Sequence, residues 1–408
     1  MMTEAVGKKR INLVRLVQER ELSKKAKEEE RQPQNIIEQE QQQDAVVSYL
    51  PKDCVSNILI RMPTESLPKS MLVCKPWYNI ITGPTFINSH FSRSESVLVF
   101  QKTSLDEEHS NPPAPIILFG GPTPNRTKKV CTQFIEFREG TSRIGKYKIS
   151  CSGKIRAACN GLLLIDNTSK KGGLIVLNPV TRKSTSLPVG TLSLSNAESY
   201  GFAYSDVTGD YKVVHLFRDE LRHINCEILN VGAKFWKEVN GPAFGLFGSL
   251  RCTAPVSSIG ALHWIPQINH SDYLVSMELV NEKFLTVPLP KSCGTHDGIL
   301  EMGGFLSFVT HEQPDIDIWI LKGLHDEVWT KHHRISTCSV RSMVPMLSLK
   351  IGGDMIFKRK KDGSLHAYDF KLQLMRKVEG KVEEDIPSTS FPHVNSLVWW
   401  EKPKDVCD

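Results

Sequence analysis

The chain has 408 residues, with 51 Lys and Arg against 45 Asp and Glu, a formal charge of +6, 40% hydrophobic and 24% charged residues. Those fractions belong to a globular protein with a sizeable core and exclude a disordered, collagen-like or disulfide-built chain. An evenly spread excess of six charges predicts no nucleic-acid groove, and apolar runs well under the roughly 18 residues of a membrane span predict no membrane insertion.

Residues 1–43 read as a disordered or partly helical tail. Mixed charges crowd Lys24 to Arg31, a Gln/Glu-rich tract follows to Gln43, and Ile11, Val14, Leu16 and Val17 seed at most a short helix. Lys8-Lys9-Arg10 leads into an amphipathic stretch, which is not the pattern of a secretory leader. The ten cysteines form no Cys-x-x-Cys pair, so reduced thiols and no zinc or redox motif are expected. The expected compartment is the nucleus or cytoplasm.

Residues 44–90 carry three helical patterns. Val55, Ile58, Leu59 and Met62 fall at i, i+3, i+4 and i+7, with Pro51 suited to the first turn and Pro63 to the end. A second stripe runs Leu67, Met71, Cys74, Tyr78 and Ile81 over two short helices, with Thr64 as N-cap and Pro76 at the start of the later one. Phe86 to His90 completes the set. A segment this small cannot bury such faces alone, so an apolar docking surface is expected, with Trp77 at its partly covered edge.

The order Leu50-Pro51-x-Asp53-x-Val55, Ile58-Leu59-x-Arg61-Met62-Pro63, Ser66-Leu67, Val73-Cys74-Lys75-x-Trp77, then Phe86-x-x-x-His90 resembles an F-box of the plant type over nearly its whole length. The resemblance implies docking on a Skp-type adaptor and, through it, a cullin scaffold and a ubiquitin-conjugating enzyme. The residues it assigns to adaptor binding are Leu50, Pro51, Val55, Ile58, Leu59, Leu67, Leu72, Val73, Cys74 and Trp77. Pro68 departs from the pattern: a turn into the second helix it removes a hydrogen bond or shortens the helix.

Residues 91–130 read as an irregular linker with the first strands, including Ile116 to Phe119 between Pro-rich and Gly-rich patches. From 131 to 408 a unit of three or four short strands recurs every forty to sixty residues. Its copies open on Gly161-Leu162-Leu163, Gly201-Phe202, Gly260-Ala261-Leu262, Gly304-Phe305-Leu306 and Gly353-Asp354-Met355. That period and content predict propeller blades, about six of them. The fold class is therefore mainly β with a small α domain. Cys159-Asn160-Gly161-Leu162-Leu163, Asn178-Pro179-x-Thr181-Arg182, Gly201-Phe202-x-Tyr204-Ser205-Asp206 and Tyr211-Lys212-Val213-Val214 resemble the F-box-associated domain of plant F-box proteins. In that family this domain is taken to select the protein to be ubiquitinated, and the resemblance names no target.

Candidate chemistry is sparse. His332 and His333 are strand neighbours pointing to opposite faces, and His263 beside Trp264 reads as a hydrogen-bonded packing residue. Asp315 and Asp317 share a strand face without a third group, and Lys358 to Lys361 before Asp362-Gly363 reads as a basic hairpin turn. The expectation is a non-catalytic receptor subunit of an SCF-type ubiquitin ligase, with no cofactor and no metal. The alternatives are a propeller scaffold with no ubiquitin role, should Pro68 spoil the dock, and a propeller enzyme with convergent ionisable groups in a deep axial pocket.

Overall fold

The computed structural model describes residues 50–105, 128–138, 140–149, 153–192, 198–243, 254–266, 271–290, 295–312, 314–326, 328–336, 343–351, 353–380, 386–387 and 389–401. The tail and the Ile116 to Phe119 strand lie outside them. The chain divides into two compact units between Arg61 and Met62.

In the first unit, helix α1 spans Lys52–Leu59, with Pro51 as its N-cap residue. Val55 and Leu59 are buried, while Leu50 and Ile58 are exposed. Met62 falls outside the helix, so the stripe is one turn shorter than its spacing suggested.

The second unit opens with a 3-10 turn, Thr64–Ser66, then α2 (Leu67–Ser70), α3 (Lys75–Ile81) and α4 (Pro84–Arg93). Four helices stand where three patterns were read, because Cys74 is extended (φ −160°, ψ 161°) and Gly83, before Pro84, is extended too (φ −68°, ψ 138°). Two expectations are corrected. Pro68 lies in the first turn of α2 rather than a turn into it, where its missing N–H is not needed, and α2 is a four-residue helix that starts at Leu67. Thr64 is no N-cap: Pro63 holds that place, and the Thr64 hydroxyl donates to the Asn395 carbonyl at 3.2 Å.

Six four-stranded antiparallel sheets follow, as expected for a six-bladed propeller. Blade 1 has β1 (Ser96–Leu105), β2 (Lys128–Arg138) and β3 (Thr141–Lys146); blade 2 has β4 (Ile155–Cys159), β5 (Leu162–Asp166), β6 (Leu174–Leu177) and β7 (Ser184–Ser186). Blade 3 comprises β8 (Glu198–Ser205), β9 (Asp210–Arg218), β10 (Ile224–Asn230) and β11 (Lys237–Val239). Blade 4 comprises β12 (Val256–Ser258), β13 (Ala261–Trp264), β14 (Tyr273–Glu278) and β15 (Lys283–Pro288). Blade 5 has β16 (Thr295–Met302), β17 (Phe305–Glu312), β18 (Asp315–Leu321) and β19 (Thr330–Ile335). Blade 6 has β20 (Met343–Ser348), β21 (Met355–Arg359), β22 (Leu365–Asp369) and β23 (Leu374–Lys377). The last strand, β24 (Ser390–Val394), returns to blade 1 and pairs with β1 from Ser96↔Val394 to Phe100↔Ser390.

Three of the glycines that open the units share a cause, whereas Gly201 lies inside β8. Asn160 (φ 49°) and Gly161 (φ 88°) form the two-residue turn from β4 to β5, and Ile259-Gly260 and Gly303-Gly304 repeat it between β12 and β13 and between β16 and β17. Positive φ at both positions matches the twist of a tight hairpin. Each interface between neighbouring blades holds its own apolar cluster; Leu98, Phe100, Ile356 and Leu365 serve blades 6 and 1, and Leu164, Val176, Phe202 and Val213 serve blades 2 and 3. Trp236 Nε1 donates to the Pro188 carbonyl at 2.9 Å and Trp329 Nε1 to the Pro288 carbonyl at 2.7 Å, tying blade 3 to blade 2 and blade 5 to blade 4.

After β24 the chain runs on against blade 2. Asn178 Nδ2 donates to the Ser396 and Val398 carbonyls (3.0 and 2.8 Å), while its Oδ1 accepts from the Val180 and Thr181 amides (2.9 and 3.0 Å). Gly161 must be glycine here, since a Cβ would stand 1.9 Å from Ser396 Oγ. Replacing Asn178 by Ala orphans donors and acceptors at a fully buried position. The expected loss is about 2–4 kcal/mol of stability, read as a lowered denaturant midpoint with an unchanged slope.

Candidate functional site

The ten residues assigned to adaptor docking divide by burial. In the first unit Leu50 and Ile58 are each 53% exposed and Pro51 is exposed, whereas Val55 and Leu59 are buried. In the second, Leu72 is 85% and Val73 62% exposed in the turn after α2, Cys74 and Trp77 are half-buried, and Leu67 is buried. Val55, Leu59 and Leu67, read from the motif as docking residues, are buried, as their spacing in a helical stripe marks. Tyr78, read as part of that stripe, is 52% exposed instead. The break at Cys74 resets the helical phase, so Ile80 and Ile81 turn inward. Trp77 Nε1 is buried with no hydrogen-bond partner among the described residues.

The helices of the second unit are held to the propeller at two places. The Glu95 carboxylate accepts from the Lys350 and Ile351 amides at 2.5 and 3.0 Å, and Lys350 Nζ donates to the Phe91 carbonyl at 3.2 Å. Asn395 is the second. Its carbonyl accepts from Thr64, its Nδ2 donates to Glu65 at 3.2 Å, and its Oδ1 accepts from the buried Tyr147 hydroxyl.

The inner strands of the blades surround an axial cavity of about 540 Å³, whose wall includes Arg156, Glu198, Tyr200, Ser257, Glu301 and Met346. Arg156 and Glu198 on that wall neutralise each other. Arg156 meets Asp166 at 2.6 Å and Glu198 at 3.0 Å, and its guanidinium lies over the Tyr200 ring at 5.4 Å. Behind this wall His215 stacks on Tyr200 at 4.3 Å and sits between Glu227 (2.8 Å) and Glu198 (3.5 Å). Burial alone disfavours the His215 cation, but the hydrogen bonds and charges of those two carboxylates outweigh it and raise its pKa. Glu227 also accepts from the Thr191 amide and hydroxyl at 2.8 and 3.0 Å, so the chain of charges joins blade 2 to blade 3. Cys159, also on the wall, has its thiol pushed up to about 12 by burial, which leaves a poor nucleophile.

The remaining candidates have structural roles. His263 is fully buried, with Nδ1 2.7 Å from Ser276 Oγ and Nε2 3.1 Å from the Ser258 carbonyl, the packing role its sequence context predicted. Asp317 meets Arg334 (2.7 Å) and Lys331 (2.5 Å), and Arg334 reaches Asp315 at 3.7 Å, so the two aspartates share a cation. His333 is 2.7 Å from the Tyr368 hydroxyl. Among the described residues no group of three or more His, Cys, Asp or Glu is placed to hold a metal ion. Lys358 to Lys361 do form the end of β21 and its turn, with Lys358 donating to the Ile386 carbonyl at 2.6 Å.

Burial lowers His263 from 6.5 to about 4 and His393 from 6.5 to about 3, and neither ring nitrogen of His393 has a partner among the described residues. For a depressed histidine the unfolded chain takes up the proton first, so stability is full above pH 6.5 and falls as the pH drops from there toward 4 and then 3. Denaturant unfolding at about pH 7 and about pH 5 checks this: His393→Phe is expected to be more stable than the natural chain, with the larger gain at the lower pH.

The family model for the F-box associated beta propeller domain matches residues 123–396, and that for the F-box domain matches residues 47–88. Among relatives in Arabidopsis thaliana, F-box protein At3g07870 is 24% identical over 88% of this chain and 93% of its own length. F-box/kelch-repeat protein At3g23880 is 24% identical over 67% of this chain and 75% of its own, and F-box protein CPR1 is 23% identical over 70% and 72%.

Proposed function

The chain belongs to the plant F-box proteins that carry an F-box-associated β-propeller, and on that premise we propose that it is a substrate-recognition subunit of an SCF-type cullin-RING ubiquitin ligase. Its helices dock a Skp-type adaptor, which links it to the cullin, and its propeller holds a target protein. The chain contributes proximity and orientation rather than an acid, base or nucleophile. It works in the nucleus or cytoplasm.

The observation that carries this reading is the pair Leu72 and Val73, two aliphatic side chains in a turn that the chain leaves open to solvent. Folding gives no reason for them. Burying each against a partner contributes about 1.5–3 kcal/mol before ordering costs. The scaffold alternative rests on Pro68 spoiling the dock, and Pro68 sits in the first turn of α2, a position that tolerates proline.

Capture of the adaptor tests the proposal. Leu72→Asp with Val73→Asp is expected to reduce capture more than about tenfold while leaving the melting temperature within a degree or two, since both side chains are exposed. Trp77→Ala is the poorer probe, because a half-buried ring also supports the fold. Undiminished capture by the double variant would sink the proposed interface.

A further inference from the structure

The strand order fixes which turns share a face. In blade 2 the turn from β4 to β5 closes one end of the sheet, and the turn from β5 to β6 closes the other. Lys350 and Ile351, which hold the helical region, lie in the connection from β20 to β21, the counterpart of the first kind. The turns from β5 to β6 and from β21 to β22 therefore lie on the face away from that anchor.

That far face has a concentration of lysine. Lys170 and Lys171 occupy the turn of blade 2, Lys360 and Lys361 the turn of blade 6, and Lys154 stands at the entry to β4 beside the axial cavity. All five are exposed, and none has an ion-pair partner among the described residues. Blade 1 lies between these two blades, and its strand β2 starts at the same end. Among the described residues, the acids of those two turns are engaged: Asp166 with Arg156, and Asp362 with Arg359 and Ser364. Blades 3 to 5 differ, with Asp219, Glu220, Asp272, Glu312 and Asp315 at this face alongside Arg218, Arg222 and Arg334. The charge is therefore segregated, contrary to the even spread assumed from composition.

We infer that the arc across blades 6, 1 and 2 is a docking surface for an acidic segment of the target protein. This rests on the reading of the propeller as the target-holding domain, and it adds the chemistry of the target. Lysines are flexible point charges without the planar fork of arginine, which suits a run of carboxylates better than one bidentate partner. Such a surface speeds encounter and gives strongly salt-dependent affinity. An acidic protein segment is favoured over nucleic acid because the described arc offers no aromatic platform for base stacking.

The test uses the full chain and a labelled polyglutamate peptide of about 15 residues, read by fluorescence anisotropy at low and physiological salt. Binding is expected at low salt and weakens as salt rises. Lys170→Glu with Lys171→Glu, and separately Lys360→Glu with Lys361→Glu, each weaken it about tenfold. Lys234→Glu with Lys322→Glu, in the turns from β10 to β11 and from β18 to β19, leaves it unchanged. Three results overturn the inference: no binding at low salt, equal weakening by the Lys234 and Lys322 variant, or tighter binding of a single-stranded RNA of the same charge. Binding that appears only after Glu383, Glu384 and Asp385 are neutralised also overturns it, because the arc then serves the chain's own acidic residues. Adaptor capture by the same variants is read in parallel. Its loss from the natural chain counts against the receptor proposal and leaves the peptide result standing on its own.

Discussion

The fold depends on the pairing of β24 with β1, which joins the last described strand to the first blade across almost three hundred residues of sequence. Without it blade 1 lacks its inner strand, and the cluster of Leu98, Phe100, Ile356 and Leu365 between blades 1 and 6 loses its support. Closing a loop of that length costs entropy, although the cost rises only slowly with length. It is offset by strand pairing and by the residues just beyond. Asn395 bonds to Thr64, Glu65 and Tyr147, while Ser396 and Val398 bond to Asn178. One short segment therefore closes the ring and fastens the 3-10 turn ahead of α2 to it. Loosening that segment disturbs both at once.

Much of the propeller is legible in the sequence because its tight turns make a local demand. Asn160-Gly161 and Gly303-Gly304 need positive φ, and glycine meets that demand visibly. The Asn178-Pro179-x-Thr181 run is visible for the same reason, since one side chain satisfies two amides within three residues. The closing strand gives no such signal. Ser390-Phe391-Pro392-His393-Val394 contains a proline, which argues against a strand in the interior of a sheet. It is tolerated because β24 is the inner edge of its sheet and faces the axial cavity, so the missing N–H is not needed by the ladder. Pro345 in β20, at a register shift, follows the same logic. Edge position is a property of the assembled ring, so no local pattern reveals it.

The residues that the motif assigns to docking show a different limit. Periodicity in Val55, Ile58, Leu59 and then Leu67 reports that a face is buried, not what buries it. Val55, Leu59 and Leu67 are buried, whereas Ile58 and the turn residues Leu72 and Val73 are exposed. Those two lie outside any helix and cannot appear in a helical stripe. Their signal is of another kind, namely two large aliphatic side chains in a turn with no fold-derived reason to be there. Sequence reasoning found them by motif resemblance and could not have found them by spacing.

Apolar packing alone does not distinguish one blade interface from another, since each is a layer of Leu, Val, Ile and Phe. Buried charge does. Arg156 on blade 2 needs Glu198 on blade 3, and Lys212 on blade 3, itself almost fully buried, needs the Leu279 carbonyl and Glu282 on blade 4, each at 2.7 Å. Such pairs are a weak source of net stability, because desolvation cancels much of their attraction. Their effect on the alternatives is larger. Blade 3 packed against any other neighbour leaves Lys212 or Glu198 without its counter-charge in a dry interface, at a cost of several kcal/mol. The apolar clusters make the blades stack, and the charge pairs decide which blade stands next to which.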